Sequence, residues 1–337
     1  MVLSAAVPVM AQAVAAQTGA PQASAPQAKV PAAPAPQKNA VKAPEATTFP
    51  AVNPKNFTAT SPTVGEVNGF LKAIWGFDAS RKWEVAAILK TQAPGVAKVV
   101  VLISDARQQG KTMQTVFFTT PDGKHAIADN VIDFGPTPFA DARKTLQERA
   151  DGPAQGAKSN DLLLVEFADL QCEHCRDAQE KMGNLAEDFP QARIVFEDYP
   201  LTASHPYSRE AALDGVCVRK TKGDAAFFSY AQAVYAKQAG LTAESAEETL
   251  KAAETAAGAD PAAVAACAAT PEAKEAIDAT IKLGEDLGVY QTPMIDVNGH
   301  LLALESIPYE TLKRIVAFQA EQDGVKVHLQ PTLTTLQ

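Results

Sequence analysis

The chain is short of cysteine, of tryptophan and of positive charge. Four cysteines in 337 residues are too few for a disulfide-stapled miniprotein, so the fold must rest on hydrophobic cores. Lysine and arginine together number 30 against 39 aspartates and glutamates, a formal net charge of −9. That balance leaves no basic footprint for nucleic acid. No run of eighteen apolar residues occurs, so no membrane-spanning helix is legible. What is present is ordinary for a globular protein: 46% hydrophobic and 20% charged residues, in a length that suits about two domains with tails.

Residues 1–16 have the apolar stretch of an export signal, and Ala11-Gln12-Ala13 fits a small-x-small cleavage site. No Lys or Arg precedes the stretch, so a low-complexity tail is the competing reading. Residues 17–56 are rich in Ala, Pro and Gln, with eight prolines between Pro21 and Pro54. They have little to bury and read as an extended tether.

The region 57–150 reads as a small α+β domain. Thr63 and Glu66 make a capping-box signature, and Val67, Phe70, Leu71, Ile74 and Trp75 supply one apolar face for a helix over 64–76. Strands are expected at Trp83–Leu89, Val96–Ile103, Gln114–Thr119 and His125–Phe134, with a turn at Pro121-Asp122-Gly123. A helix over 138–150 follows, then a loop over 152–160. No nucleophile, metal cluster or phosphate loop occurs here, and His125 reads as a surface or structural residue.

The chemistry is concentrated in one stretch. Leu162–Val165 and Phe167 read as a buried strand, and Glu173–Phe189 as a helix. Cys172 and Cys175 fall between them, with Cys172 at the helix N-terminus. Unpaired backbone N–H groups and the positive dipole end favour an anion there, and the thiolate is the form that attacks disulfides. Cys175 would be shielded and would resolve a mixed disulfide. His174 would help the thiolate, and neighbouring Glu173 would oppose it. Glu166 lies in an otherwise apolar strand, where burial would raise its pKa and suit it to proton transfer with Cys175. A structural disulfide and half a zinc site are the alternatives for C-x-x-C alone.

Downstream, Arg193–Tyr199 is a strand expected to lie parallel to the first. Ala-rich helices follow at 206–219, 224–239, 243–256, 261–268 and 272–287. Met294–Val297, the Asn298-Gly299 turn and His300–Ala303 form a hairpin, Pro308–Gln319 a closing helix, and the tail from Gly324 is expected to be loose. Cys217 and Cys267 lie in the helical stretch as two buried thiols or, as an even count in an exported chain favours, a second disulfide. Four-cysteine zinc binding is disfavoured by their spacing.

With Cys-Glu-His-Cys at 172–175, Glu166 six residues earlier, His205-Pro206 before a helix, and Gln291-Thr292-Pro293 before a short strand, the region 158–325 resembles the DsbA-like thiol–disulfide oxidoreductases. Glu173 departs from the proline of the best-known oxidases, which leaves the redox poise open. The run Thr115–Ile127 and the helix after it resemble the N-terminal dimerisation domain of DsbC/DsbG-type isomerases.

The resemblance implies an α/β, thioredoxin-like fold with a helical insertion over about 206–287, preceded by the small α+β domain. It implies a cis Thr292-Pro293 bond that sets Thr292 beside the sulfurs as a substrate-binding edge. No cofactor and no metal is expected. The implied setting is the periplasm, with unfolded or reduced exported proteins as substrates, a quinone-linked membrane thiol oxidase as reoxidant, and a homodimer. A tethered chaperone that keeps a thioredoxin-like shell is the alternative, and a glutathione-dependent transferase a third.

Overall fold

The computed structural model describes residues 49–108, 111–128 and 131–327. The export-signal segment and most of the tether lie outside these residues. Folded chain begins slightly before residue 57: Pro54–Asn56 forms a 3-10 turn, and the Asn56 amide donates to Ala86 O at 3.4 Å.

Helix α1 (Val64–Trp75) starts at a reciprocal cap, with Glu66 N–H donating to Thr63 Oγ1 and Thr63 N–H to Glu66 Oε2. Its apolar face buries Val67, Phe70 and Leu71 against Val85, Ile88, Val99, Val101 and Phe117. Those residues come from an antiparallel meander of β1 (Arg81–Lys90), β2 (Ala97–Asp105), β3 (Thr112–Thr119), β4 (His125–Ile127) and β5 (Val131–Asp133), ordered β1-β2-β3-β4-β5. The stretch read as one returning strand, His125–Phe134, is therefore two short strands that pair with each other, Ile127 opposite Val131.

Helix α2 (Ala140–Arg149) docks on the second layer. Arg149 pairs with Asp286 at 2.7 Å, Arg143 Nη2 donates to Asp161 O at 2.9 Å, and the Phe139 ring stacks on His300 with centroids 4.2 Å apart. Gly299 (φ +97°) permits this approach, because a Cβ there would come within 2.2 Å of Phe139 O.

The second sheet has the order β10-β9-β7-β8-β6. Central β7 (Leu163–Ala168) is buried along its whole length. It runs parallel to β8 (Arg193–Asp198) through the crossover helix α3 (Glu173–Asp188) and antiparallel to β9 (Met294–Val297). β10 (His300–Ala303) completes the hairpin. β6 (Ala154–Gly156) pairs antiparallel with β8, within the stretch 152–160 that reads as a loop from sequence. Three residues ending in glycine carry no periodicity to read, and β6 is held by its position: Gly152 N–H donates to the buried Glu197 carboxylate at 2.9 Å.

Between β8 and β9 lie α4 (Ser208–Lys222), α5 (Asp224–Ala236), α6 (Ala246–Ala256), α7 (Pro261–Ala268) and α8 (Pro271–Leu287). Helix α9 (Tyr309–Gln322) closes the fold against α3, with Leu312 and Val316 packed on Met182, Leu185 and Ile295. The tail is not wholly loose. Val325 and Val327 pack on that core, and Val325 N–H donates to Ala320 O at 2.8 Å. Among the described residues, no helix is long and apolar enough to cross a membrane.

Candidate active site

Strand β7 ends at Ala168 and the chain turns over Asp169–Gln171 into α3. The Asp169 carboxylate shapes that turn, accepting from Gln171 N–H at 2.7 Å and Leu201 N–H at 2.8 Å, and its backbone carbonyl accepts from Cys172 N–H at 3.0 Å. Cys172 is then the N-cap residue of α3, in extended geometry and without a side-chain cap bond. Its sulfur takes the place where the first turn presents free N–H groups.

The two sulfurs of the dithiol are adjacent and unequal. Both cysteines are buried and unbonded. The hydrogen bond from the Cys175 thiol is the largest influence on Cys172. With the Cys175 and His174 backbone N–H groups and Thr292 it outweighs burial and lowers the Cys172 thiol from 9.0 to about 5. Burial, joined by the neighbouring thiolate, pushes the Cys175 thiol far above its ordinary value, although Asp169 N–H donates to its sulfur at 3.4 Å. At neutral pH one sulfur is therefore an anion and the other a proton donor to it.

Thr292 closes the site from the other side. The Thr292-Pro293 bond is cis, and Cys172 Sγ lies 3.7 Å from Thr292 O. The Thr292 hydroxyl is buried with no oxygen or nitrogen partner among the described residues.

Glu166 is 3% exposed, in the middle of β7. Burial raises its carboxyl to about 8, partly offset by Gln179 Nε2, which donates to Oε1 at 2.9 Å. The same Gln179 amide donates to Cys175 O at 3.0 Å, so one side chain on α3 joins the buried acid to the turn that carries the buried thiol.

His174 stands differently from the sequence expectation. Its backbone N–H acts on the Cys172 sulfur, while its imidazole is more than half exposed, with Nδ1 3.4 Å from the Glu305 carboxylate. In the first turn of a helix the side chains splay outward while the N–H groups point back to the cap. Cys217 and Cys267 are bonded to each other, S–S 2.07 Å, and tie α4 to α7 in the insertion. Among the described residues no cluster of His, Cys, Asp and Glu is arranged to hold a metal.

Four polar residues around the site were not singled out from sequence. Asp169 is one; its carboxylate also meets His205 Nδ1 at 2.8 Å. Gln179 is the second. Gln238 is the third, donating to both Leu170 O and Cys172 O at 2.9 Å. Tyr235 is the fourth: fully buried, its hydroxyl without a partner among the described residues, and within electrostatic reach of Cys175 and Glu166. Only Asp169 left a local signal, an acid one residue past an apolar strand and before a turn. The others reach the site through tertiary packing.

A family model described as Thioredoxin matches residues 148–317. Two curated proteins, the Na(+)/H(+) antiporters NhaA 3 of Salinispora tropica and NhaA 1 of Salinispora arenicola, are each 34% identical over 58 residues, which is 17% of this chain. The chain spans only 9% of their length. Among solved structures, a periplasmic thioredoxin-like protein from Salmonella enterica serovar Typhimurium superposes with a TM-score of 0.45 at 21% identity, over 53% of this chain and 96% of that one. The catalytic domain of Proteus mirabilis ScsC gives 0.44 at 21%, over 53% and 98%. The thiol-disulfide exchange protein alpha-DsbA2 from Wolbachia pipientis gives 0.45 at 18%, over 52% and 94%.

Proposed function

The chain belongs to the thioredoxin family, and from that premise we propose that it is a thiol–disulfide oxidoreductase working through Cys172 and Cys175. The observation that carries this is the pairing of an acidified sulfur with a buried neutral one, beside the Thr292 carbonyl. In the oxidising direction, a substrate thiolate attacks Cys172 of the Cys172–Cys175 disulfide. The S–S bond breaks, and Cys175 leaves with its electron pair and takes up a proton, which Glu166 as a neutral acid is suited to supply. A second substrate thiolate then attacks the substrate sulfur of the mixed disulfide and expels Cys172 as a stable thiolate. The substrate loses two electrons and the enzyme gains them. A low thiol pKa on Cys172 stabilises the reduced enzyme and so favours oxidation of the substrate.

Two supports bear on compartment and partners. The Cys217–Cys267 bond suits an oxidising, exported setting such as the periplasm, with reduced exported proteins as substrates and a quinone-linked membrane thiol oxidase as reoxidant. The face of the first sheet opposite α1 carries an apolar row: Phe118 pairs with Ile127, Ile127 with Val131, and all three are exposed. A second copy docking there, as in the isomerase dimers that this region resembles, would set two sites in one assembly and add rearrangement of wrong disulfides. The same apolar row keeps the tethered-chaperone reading alive.

Refolding of a reduced and of a scrambled disulfide protein tests the proposal. Oxidation or rearrangement that Cys172→Ser abolishes supports it. Suppression of aggregation that survives Cys172→Ser, with no disulfide moved by the wild type, replaces it with the chaperone.

A further inference from the structure

The turn that carries Cys172 is held by a residue of the helical insertion. The periodicity over 224–239 reads as one continuous helix, but α5 stops at Ala236 and the chain tightens into a 3-10 turn over Gln238–Gly240. Gly240 fits tightly there, since a Cβ would come within 2.4 Å of Thr249 Oγ1. The early stop swings Gln238 out of helical register and over the active-site turn. Its Nε2 donates to Leu170 O and to Cys172 O, both at 2.9 Å. Gln171 makes the return contact, with Nε2 donating to Leu241 O at 3.2 Å and Oε1 accepting from Tyr207 N–H at 2.7 Å. Two glutamines thus clasp the insertion to the turn on which Cys172 sits.

We propose that Gln238 is a positioning residue that sets the acidity, and hence the oxidising strength, of Cys172. The proposal rests on the thiol–disulfide reading above and deepens it. The physical route is short. The Cys172 sulfur is stabilised by donors whose alignment depends on where the N-cap residue lies: the Cys175 thiol, two backbone N–H groups and Thr292. Hydrogen bonds weaken steeply as they bend. An amide that pins the carbonyls on either side of Gln171 holds the sulfur among those donors. It also directs the positive end of its own dipole at the segment that bears the negative charge.

The test uses the full chain and three variants. Gln238→Leu removes the donor, Gln238→Glu sets a carboxylate against two carbonyls, and Gln238→Lys keeps a donor. Cys172 acidity is read from the ultraviolet absorbance of the thiolate against pH, and oxidising strength from the equilibrium constant with glutathione. The expected order of apparent pKa is Lys at or below wild type, then Leu, then Glu, with several-fold loss of acidity in Leu and Glu and a matching fall in oxidising strength. A merely structural role would rank the variants by their loss of thermal stability, whatever their donor count. Wild-type titration in folded Leu or Glu variants overturns the proposal. If one of these does not fold, the other and Lys still carry the comparison, and an acidity that follows melting temperature alone again overturns it. None of these readouts uses a protein substrate, so a failed functional reading shows separately, as a wild type that moves no substrate disulfide.

Discussion

Cys172 and Glu166 depart from their ordinary acidities in opposite directions, and each gives the protein a pH signature. The Cys172 thiol is depressed, from 9.0 to about 5. An unfolded thiol therefore holds its proton across a range where the folded one has lost it. Its stabilising contribution is full above pH 9 and disappears as pH falls through 5. It exists only in the dithiol form. Chemical denaturation of reduced and oxidised protein should show the reduced form gaining relative stability from pH 5 towards 9. Alkylation of Cys172 should likewise fall away only below about pH 5. Glu166 runs the other way. Burial raises it from 4.5 to about 8, so the stability of its neutral form is full below 4.5 and is lost as pH rises through 8. Glu166→Gln should flatten that loss and, in stopped-flow assays of thiol exchange, slow the step in which Cys175 enters or leaves a disulfide by about a hundred- to ten-thousandfold, in the range typical of a lost acid or base. Much at this scale was legible beforehand: a cysteine at a helix start and a carboxylate in an apolar strand follow from spacing alone. What the sequence did not separate was the backbone of His174 from its imidazole, because residue type says nothing of which end of a residue faces a cap.

Among the elements, the strand–helix–strand unit and the closing hairpin had strong periodic signals, and their partners followed from connection rules. Errors fell where an element is short or is held by its neighbours. β6 has three residues, β4 and β5 three each, and α5 gives way to a 3-10 turn whose Gly240 lies close against Thr249. Gln179 and Gln238 escaped notice for a related reason: a glutamine on a helix has no local pattern, and its meaning comes from what the helix is packed against. The Cys217–Cys267 bond closes a span of 50 residues. Replacing both cysteines by alanine should cost about 4 kcal/mol in the chain-entropy account, read as a lower denaturation midpoint. Thr63→Ala, which removes the oxygen that caps α1, should cost about 1 kcal/mol.

For the molecule as a whole, the exposed apolar row of the small domain bears on how many copies act together. The small domain buries α1 on one side of its sheet and leaves Phe118, Ile127 and Val131 on the other, with Val131 65% exposed at the edge strand. Light scattering at micromolar concentration should give a dimer, and Val131→Asp should yield a monomer with Cys172 acidity unchanged. Oxidation of a simple dithiol peptide should survive this variant, while rearrangement of a scrambled protein should fall. A wild type that is cleanly monomeric removes the paired-site half of the proposal.

The bond between Cys217 and Cys267 has a consequence for how the population of this protein renews itself. A newly made copy arrives with four thiols, and two of them must be joined before its helical lobe is braced. It is then a client of the same kind of reaction that its finished relatives are proposed to perform. If mature copies oxidise fresh ones in this way, the supply would be self-seeding. A compartment emptied of finished protein would recover after a lag, and that lag would shorten when a trace of the finished form is added.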